Sequence, residues 1–231
     1  MGLNRFEFTS SFVHLRSKPI SFDGRPYLAR VYESEASRLV IRASRQVEKS
    51  TFLVNSILYL AVCQPGVHVV CVFPRQEQAH VFSHFRLMAT IEGSPVIRRL
   101  LLGSRGRKPK VTNLEFANGS EVFVRAAYHT ADAVRGLDAD VLVVDEFQDI
   151  AAGGLPIMEE TLSHSQTRKL ILTGTPKSID NHLEAAFSAS TAQEWHIPCQ
   201  TCQASVILDE SCIGPTSLIC PRCQQPIDAR Q

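Results

Sequence analysis

Residues 44–51, SRQVEKST, constrain the fold of this chain more than any other stretch, because they lie between a strand-like run and a helix-like run. The apolar run LVIRA leads into the octet and FLVNSILYLAV follows it. A loop that enters a helix N-terminus directs free backbone N–H groups and the positive end of the helix dipole at one point. A lysine and a hydroxyl at that point can complete a site for a polyphosphate and magnesium. The octet therefore predicts a strand, a phosphate-binding loop and a helix in succession.

The octet lacks both glycines of the usual phosphate-binding pattern, GxxxxGK[ST]. Ala43 or Ser44 stands at the first glycine, depending on the alignment, and Glu48 stands at the second. A Glu48 carboxylate that pointed inward would oppose bound phosphates. Either it turns outward, for example toward a nearby arginine, or the loop is inactive. By itself, the octet is a weak indication of nucleotide binding.

Strand and helix patterns alternate along the rest of the chain. VHVVCVF is a continuous apolar run of strand length, which suits a sheet that is covered on both faces. Asn118-Gly119 lies between two alternating runs and predicts a β-hairpin. The alternation predicts an α/β fold with a mostly parallel sheet and crossover helices. Helices are expected at 50–63, 75–92, 95–102 and around 156–164, and further strands at 140–144 and 169–173.

Composition limits the ways in which this chain could bind other molecules. It has 231 residues, of which 44% are apolar, and a formal net charge of +1. Binding to nucleic acid would therefore need a local basic face, and the candidate is Arg105, Arg107, Lys108 and Lys110. An ordinary solvated loop explains these four residues equally well. No signal peptide is evident and the apolar run 52–63 is too short to span a bilayer. We therefore expect a soluble, intracellular protein that has no membrane among its partners.

Four of the seven cysteines form two CxxC pairs separated by 17 residues. The pairs are Cys199 with Cys202 and Cys220 with Cys223, a spacing that is typical of a four-thiolate zinc site. Four thiolates close the coordination sphere, which predicts a structural zinc ion. Disulfides are the alternative, and an intracellular setting disfavours them. Cys63 and Cys71 are expected to be buried thiols, and Cys212 to lie outside the metal site.

Two further apolar runs end in polar residues. VLVVDEFQD places Asp145 and Glu146 at the carboxyl end of a strand, where ligands bind in open α/β folds. Asp145 would hold magnesium, directly or through water, and Glu146 would polarise an attacking water. LILTGTP places Thr173 and Thr175 at the end of another strand, where they could respond to the terminal phosphate. Each motif has a purely structural alternative. Asp145 and Glu146 would then form only an acidic turn after a strand, and TGTP would form only a turn.

With these elements in this order, the sequence resembles the ATPase domain of phage large terminase subunits, the motors that package viral DNA into empty capsids. The resemblance covers roughly residues 22–223, and residues 22–27 loosely resemble the approach to the adenine pocket. It implies a P-loop NTPase fold of the ASCE type, with ATP and Mg²⁺. A zinc knuckle after the ATPase core also occurs in some members, which adds Zn²⁺. The motifs that carry the resemblance are Arg45-Gln46 with Lys49-Ser50, Asp145-Glu146, and Thr173-Gly174-Thr175.

The resemblance also implies a role for each matching residue. Lys49 would contact the β and γ phosphates, Ser50 would coordinate magnesium and Glu146 would be the catalytic glutamate. Arg45 would add positive charge at the phosphates. Arg135, in AVRG, is the candidate for an arginine that reaches the nucleotide of a neighbouring subunit, and a salt bridge to Asp132 or Asp138 is the alternative. The implied nucleotide-binding set is Arg45, Gln46, Val47, Glu48, Lys49, Ser50, Thr51, Asp145, Thr173 and Thr175, with Ser50 and Asp145 as the magnesium ligands.

The same resemblance predicts an organisation and a set of partners. Residues 1–197 would form the ATPase domain, and residues 198–231 the zinc-ribbon-like knuckle and tail. The implied partners are double-stranded DNA, the viral portal protein and the small terminase subunit, with the chain in a homo-oligomeric ring on the portal in the host cytoplasm. Family members usually continue into an RNase H-like nuclease domain. The sequence after residue 223 has no acidic metal site for one, so we expect no DNA cleavage from this chain, and a nuclease domain or subunit would be a separate partner.

Two other functions fit parts of the sequence. A DEAD-type helicase fragment shares the DE pair and a hydroxyl-rich turn, but it needs a second motor domain. A non-catalytic adaptor would use a degenerate nucleotide fold as a scaffold and bind DNA or a packaging partner through the zinc knuckle. Glu48 and the lack of a nuclease domain favour the adaptor, whereas loops that open with arginine and glutamine favour an active terminase.

Overall fold

The structure, a computed structural model, describes residues 2–102, 110–127, 130–178 and 180–228. Its strands in these ranges are β1 His14–Leu15, β2 Lys18–Pro19, β3 Arg38–Arg42, β4 His68–Phe73, β5 Asn113–Glu115, β6 Glu121–Ala126, β7 Val141–Val144, β8 Lys169–Gly174, β9 His196–Pro198 and β10 Ser205–Ile207. Its α-helices there are α1 Arg5–Phe12, α2 Pro26–Glu33, α3 Lys49–Cys63, α4 Gln76–His80, α5 Ala89–Gly93, α6 Pro95–Leu102, α7 Gly154–Glu159 and α8 His182–Ser188.

A six-stranded sheet in the order β3-β8-β7-β4-β6-β5 forms the centre of the described structure. Every neighbouring pair is parallel except β5 and β6, which form the hairpin predicted at Asn118-Gly119. Gly119 has a φ of +83°, a conformation that glycine adopts without strain. The order places β8 between β3 and β7, although β8 follows both in the chain. The carboxyl ends of these three strands therefore meet at one edge of the sheet.

The two faces of the sheet bury separate apolar clusters, which makes a layer of helices on each side. In β4, Val69 and Cys71 pack with the side chains of α3, whereas Val70 and Val72 pack with Met158 of α7. Successive side chains of a strand point to opposite faces, so a strand covered on both sides must be apolar at every position. Residues 69–73 of β4, which are all apolar and buried, meet that requirement, whereas His68 begins the strand at a half-buried position. The predicted α/β fold with a mostly parallel sheet is confirmed.

Helix α3 leaves the octet and packs beneath the sheet, held by the N-terminal helices. The Phe52 ring is 1% exposed and meets the Tyr32 ring edge-on at a centroid separation of 5.0 Å. The guanidinium of Arg5, in α1, lies 5.2 Å from the Phe52 ring centroid and donates to the Ser34 carbonyl at 2.8 Å and to the Ser56 hydroxyl at 3.3 Å. Burial lowers the pKa of Arg5. These contacts fix the position of the helix that follows the octet.

Two predicted helices differ from the observed ones. The helix expected at 75–92 is α4, a π-helical segment at Val81–Met88, and α5. Phe82, Ser83 and Leu87 are the buried residues of the π-helical segment. The helix expected around 156–164 is α7 followed by a 3₁₀ turn at Glu160–Leu162. It begins two residues earlier because Gly153, at φ +81°, ends the preceding loop and Pro156 fits within the first helical turn.

No helix within the described ranges is both long enough and apolar enough to cross a lipid bilayer.

Removal of the Phe52 ring should destabilise the protein strongly, because the ring is buried between α1, α2 and α3. We expect Phe52→Ala to lower the free energy of unfolding by about 3–5 kcal/mol, measured by urea denaturation. The matched control is Phe85→Ala, since Phe85 is 63% exposed, and it should change stability by less than about 0.5 kcal/mol. Equal losses in the two variants would contradict this account of the core.

Candidate active site and metal centre

The ends of β3, β7 and β8 bring the three predicted motifs together. Asp145 follows β7 directly, Thr173 lies in β8, and the Thr173 hydroxyl donates to Asp145 Oδ1 at 2.6 Å in a buried bond. The residue before the octet is tied to the same point, since the Ala43 N–H donates to the Gly174 carbonyl at 3.2 Å. The phosphate-binding loop, the acidic pair and the hydroxyl turn therefore share one edge of the sheet.

The octet turns through two left-handed residues that are not glycine. Gln46 and Glu48 both have a φ of +64°. Such a conformation costs a non-glycine residue on the order of 1–3 kcal/mol. Glu48 is the N-cap of α3 and its side chain makes no cap hydrogen bond, so the first-turn N–H groups of α3 are not capped by that carboxylate. The loop thus keeps a left-handed residue directly before the lysine, where the usual pattern has glycine.

Arg25 holds the Glu48 carboxylate. Its guanidinium forms an ion pair with Glu48 Oε1 and also donates to the Ser21 carbonyl oxygen, and both side chains of the pair are half-buried. Arg25 directly precedes α2, so the pair links the segment before α2 to the phosphate-binding loop. Of the two outcomes left open by the sequence, the structure has the carboxylate paired with an arginine.

The Lys49 ammonium contacts the start of its own loop and interacts with the acidic pair. Its Nζ donates to the carbonyl oxygens of Ala43 at 2.9 Å and Ser44 at 2.6 Å. Burial lowers the pKa of Lys49, and the negative charges of Glu146 and Asp145 oppose that shift. The ammonium is thus within electrostatic reach of both carboxylates.

The other predicted loop residues flank Lys49 in the sequence and differ in exposure. Ser50 and Thr51 follow it in the first turn of α3 and are half-buried, as is Val47. Arg45 and Gln46 are exposed at the opening of the loop. The charge of Arg45 contributes to the lowered pKa of Lys49, which places the two cations near each other. Thr175 follows β8 and is half-buried.

The two carboxylates have different surroundings. Asp145 is only 6% exposed, and burial raises its pKa while the Thr173 hydroxyl opposes the shift. Glu146 has a left-handed φ of +49° and receives a bond from Gln148 Nε2 at 2.5 Å. Gln148 Oε1 in turn accepts the Thr175 N–H at 3.1 Å. Gln148 and Arg25 are two residues of this site that the sequence does not indicate. QD after DEF carries no signal of its own, and Arg25 lies in a segment with only a loose family match.

Arg135 forms the alternative salt bridge that the sequence left open. Its Nε lies 3.0 Å from Asp132 Oδ1, and both side chains are more than 60% exposed. Exposed pairs of this kind contribute about 0–1 kcal/mol, so Asp132 holds the guanidinium only weakly. Of the basic patch, Arg105, Arg107 and Lys108 lie outside the described residues, and Lys110 is exposed.

The four predicted zinc ligands converge. The Sγ atoms of Cys199, Cys202, Cys220 and Cys223 all lie within 4.8 Å of one another, and the 199–223 and 202–220 pairs are each 3.7 Å apart. A tetrahedral zinc ion with Zn–S distances of about 2.3 Å needs sulfurs separated by about 3.8 Å. Backbone N–H groups of Cys202 and Thr201 lower the pKa of the Cys199 thiol, whereas burial and the other three sulfurs raise the pKa of the Cys223 thiol. The residues therefore fit a zinc ion.

The two CxxC loops repeat the same backbone pattern. The Gln203 N–H donates to the Cys199 carbonyl at 2.9 Å, and the Gln224 N–H donates to the Cys220 carbonyl at 2.8 Å. Both glutamines are left-handed, with φ of +58° and +60°, and each donates its side-chain amide to the carbonyl three residues earlier. The knuckle thus consists of two similar halves around one metal position.

The remaining cysteines differ partly from expectation. Cys71 is buried in β4 and Cys212 is buried in the apolar cluster of the knuckle, outside the four-sulfur group. Cys63 is exposed, so the prediction of a buried thiol was wrong there. It is the last residue of α3, and the apolar run that suggested burial ends with it.

Comparison with protein families identifies the chain. Residues 19–231 match the family described as the phage terminase large subunit gpA, ATPase domain. The chain belongs to this family. The recognition from the three motifs is therefore confirmed, and the chain is a member of a family of phage DNA-packaging ATPases.

Solved structures with the same fold are also phage large terminases. The large terminase of bacteriophage HK97 has a TM-score of 0.67 at 12% identity, over 82% of this chain and 41% of that chain. The ATPase domain of the Thermus phage P74-26 large terminase has a TM-score of 0.50 at 19% identity, over 66% of this chain and 64% of that one. A variant of that domain gives 0.52 at 20% identity, over 69% and 67%. At these identities the likeness shows the fold, and this chain spans less than half of the HK97 protein.

No curated protein matches the sequence.

The left-handed backbone at Glu48 predicts an unusual order of stability among its variants. Glu48→Gly relieves the strain while Glu48→Ala retains it, and both lose the Arg25 pair. We therefore expect the glycine variant to be about 1 kcal/mol more stable than the alanine variant in urea denaturation. Glu77 in α4 is the control position. Glu77→Gly should be less stable than Glu77→Ala by about 1 kcal/mol, because glycine is unfavourable within an α-helix. The same order at both positions would contradict the strained conformation.

Proposed function

We propose that this chain is the Mg²⁺-dependent ATPase of a large terminase subunit, and that its ATP hydrolysis drives translocation of viral DNA into the capsid. The observation that carries the proposal is the meeting of Lys49, Asp145 and Thr173 at one sheet edge in a member of the terminase family. Such an edge is where ligands bind in open α/β folds. The pairing of Glu48 with Arg25 supports an active loop, because the guanidinium balances the negative charge of the carboxylate that would otherwise oppose bound phosphates.

The loop supplies the positive charge that a triphosphate needs. Lys49 Nζ would leave the carbonyl oxygens of Ala43 and Ser44 and bind the β and γ phosphates. The left-handed turns at Gln46 and Glu48, with Val47 between them, would direct backbone N–H groups to the same phosphates. Thr51 would add a hydroxyl in the first turn of α3. Arg45, exposed at the loop entrance, would add a second cation.

The Ser50 hydroxyl and the Asp145 carboxylate would hold magnesium. Both are oxygen donors, which magnesium prefers, and a buried carboxylate such as Asp145 is less costly beside a cation than alone. When bound, the ion would polarise the phosphate oxygens and offset their charge. Thr173 would fix the carboxylate by occupying one of its oxygens.

Glu146 would act as the general base. Its carboxylate would accept a proton from the water that attacks the γ phosphorus, so that the bond to ADP breaks as the new P–O bond forms. Thr173 and Thr175 would transmit the change at the γ phosphate, since both lie at the end of the strand that separates the loop from the acidic pair. Arg135 would reach the nucleotide of a neighbouring subunit, where a guanidinium can bind phosphoryl oxygens through two N–H groups.

The assembly belongs to the same proposal. Residues 1–197 would form the motor domain and residues 198–231 the knuckle and tail. The separate apolar cluster of the knuckle supports a division near this point, although the cluster also includes Ile197, the last residue before the proposed boundary. The chain would work in the host cytoplasm as a ring on the portal protein, with the small terminase subunit and double-stranded DNA. The knuckle would hold one structural zinc ion, because four thiolates leave no position open for water.

Loss of the phosphate-binding cation or of the general base should abolish turnover. We expect Lys49→Ala and Glu146→Gln each to lower DNA-stimulated ATP hydrolysis about 100-fold or more, while circular dichroism shows a folded protein. Lys18→Ala and Glu77→Gln, both at exposed positions, should retain wild-type rates. If the protein with its partners hydrolyses ATP equally well after both site changes, the assignment of the site is wrong.

A nucleotide-binding measurement separates the motor from the adaptor. A motor should gain about 2.7 kcal/mol in unfolding free energy from ATP at 100 times its dissociation constant, and the gain should need magnesium. Thermal unfolding with a non-hydrolysable ATP analogue, with and without magnesium, measures it. A melting temperature that does not respond to magnesium and nucleotide would favour the adaptor.

The knuckle should bind one equivalent of zinc. We expect about one zinc ion per chain by metal analysis in reducing buffer, and loss of most of it in Cys202→Ser. Cys63→Ser removes an exposed thiol outside the cluster and should keep the metal. Less than about half an equivalent in the wild-type protein would contradict the zinc site.

A further inference from the structure

Gln148 joins Glu146 to the segment that follows β8. It lies in the 3₁₀ turn Phe147–Asp149 and is 9% exposed. Its Nε2 donates to Glu146 Oε2 at 2.5 Å, and its Oε1 accepts the Thr175 N–H at 3.1 Å. One amide group therefore bridges a carboxylate and a main-chain N–H from two different strand ends.

The two partners fix the direction of the amide. The carboxylate of Glu146 can only accept while it is ionised, and the N–H of Thr175 can only donate. A reversed amide would place oxygen against the carboxylate and NH₂ against N–H, so both contacts would become repulsive. Gln148 therefore fits the space between them in one orientation, which in turn restricts the orientation of the Glu146 carboxylate.

Gly174 provides the space for this bridge. A Cβ atom at position 174 would lie 2.3 Å from Gln148 Oε1 and 2.7 Å from Leu183 Cδ2. Both distances are shorter than nonbonded atoms tolerate. The last residue of β8 must therefore be glycine for Gln148 to reach the Thr175 N–H.

The whole 3₁₀ turn is tied to the segment after β8. Besides the Gln148 bridge, Lys177 Nζ lies 2.5 Å from Asp149 Oδ1, and the His182 Nε2 lies 2.5 Å from the Phe147 carbonyl oxygen. Each residue of the turn thus contacts one of three residues that follow β8, namely Thr175, Lys177 or His182. A displacement of these three residues would carry the turn, and with it the group that holds Glu146.

We propose that Gln148 is a positioning residue, which sets the orientation of the Glu146 carboxylate according to the position of the Thr175 N–H. The proposal rests on the proposed function, because Glu146 needs an orientation only if it acts on a water. Through this bridge, a shift of Thr175 at the end of β8 reaches the general base without passing through Asp145.

Two substitutions of Gln148 separate its two bonds. Gln148→Met loses both, whereas Gln148→Glu keeps an acceptor for the Thr175 N–H and places a second carboxylate against Glu146. We expect both variants of the full chain to lower kcat for ATP hydrolysis about 10- to 100-fold with KM changed less than about two-fold. Hydrogen exchange at the Thr175 N–H should become about 10-fold faster in Gln148→Met and stay near the wild-type rate in Gln148→Glu. Gln78→Met, at an exposed position in α4, is the control and should leave both measurements unchanged.

The outcomes separate this proposal from the proposed function. A wild-type kcat in Gln148→Met, or unchanged exchange at Thr175 in that variant, would overturn the bridge. A parallel rise in KM and fall in melting temperature in both variants would also overturn it, because it would indicate a purely structural role. If the wild-type protein itself hydrolyses no ATP, the proposed function fails, whereas the exchange measurement still decides whether Gln148 holds the Thr175 N–H.

Discussion

The insertion of β8 between β3 and β7 is the constraint on which the rest of the structure depends. Parallel pairing aligns the carboxyl ends of the three strands. Main-chain hydrogen bonds, and not the side chains of the site, determine which residues of neighbouring strands lie opposite each other. Thr173 consequently meets Asp145, and Gly174 meets Ala43. Because the sheet is buried on both faces, a slip of one residue would exchange the side chains that pack in the two apolar clusters and disrupt both of them. Core packing therefore holds the candidate site in place.

The loop shows how a non-glycine sequence can follow a path that glycine usually takes. Glu48 takes up the left-handed turn, and its charge is balanced by Arg25 from a distant segment. The strain of the left-handed backbone at Glu48 is thus local, whereas the ion pair with Arg25 that stabilises its side chain is a tertiary contact. This arrangement makes the phosphate-binding loop and the segment before α2 a single unit, so that changes in one affect the other.

The sequence predicted most of the sheet but less of the site's connections. Apolar runs of strand length identified β4, β7 and β8, because a doubly covered strand leaves a strong pattern. The predicted octet, acidic pair and hydroxyl turn do meet, while their roles in catalysis remain proposals. The short helices α1 and α2 were not predicted, although α1 has a capping box formed by Asn4 and Glu7 and α2 begins with a proline. The bonds of Arg25 to Glu48 and of Gln148 to Thr175 could not be predicted, since they join residues that are far apart in sequence. Cys63 illustrates the opposite error, in which an apolar neighbourhood suggested burial at a helix end that faces solvent.

The repeated halves of the knuckle have a consequence for how the protein can change over time. Each CxxC loop is closed by its own main-chain bonds within five or six residues, so the local geometry of either half does not depend on the length of the chain between them. Doubling a flexible loop costs only about 0.6 kcal/mol in closure entropy. The exposed residues 215–217, which lie outside the apolar cluster of the knuckle, can therefore accept insertions that leave both pairs of sulfurs and that cluster in place.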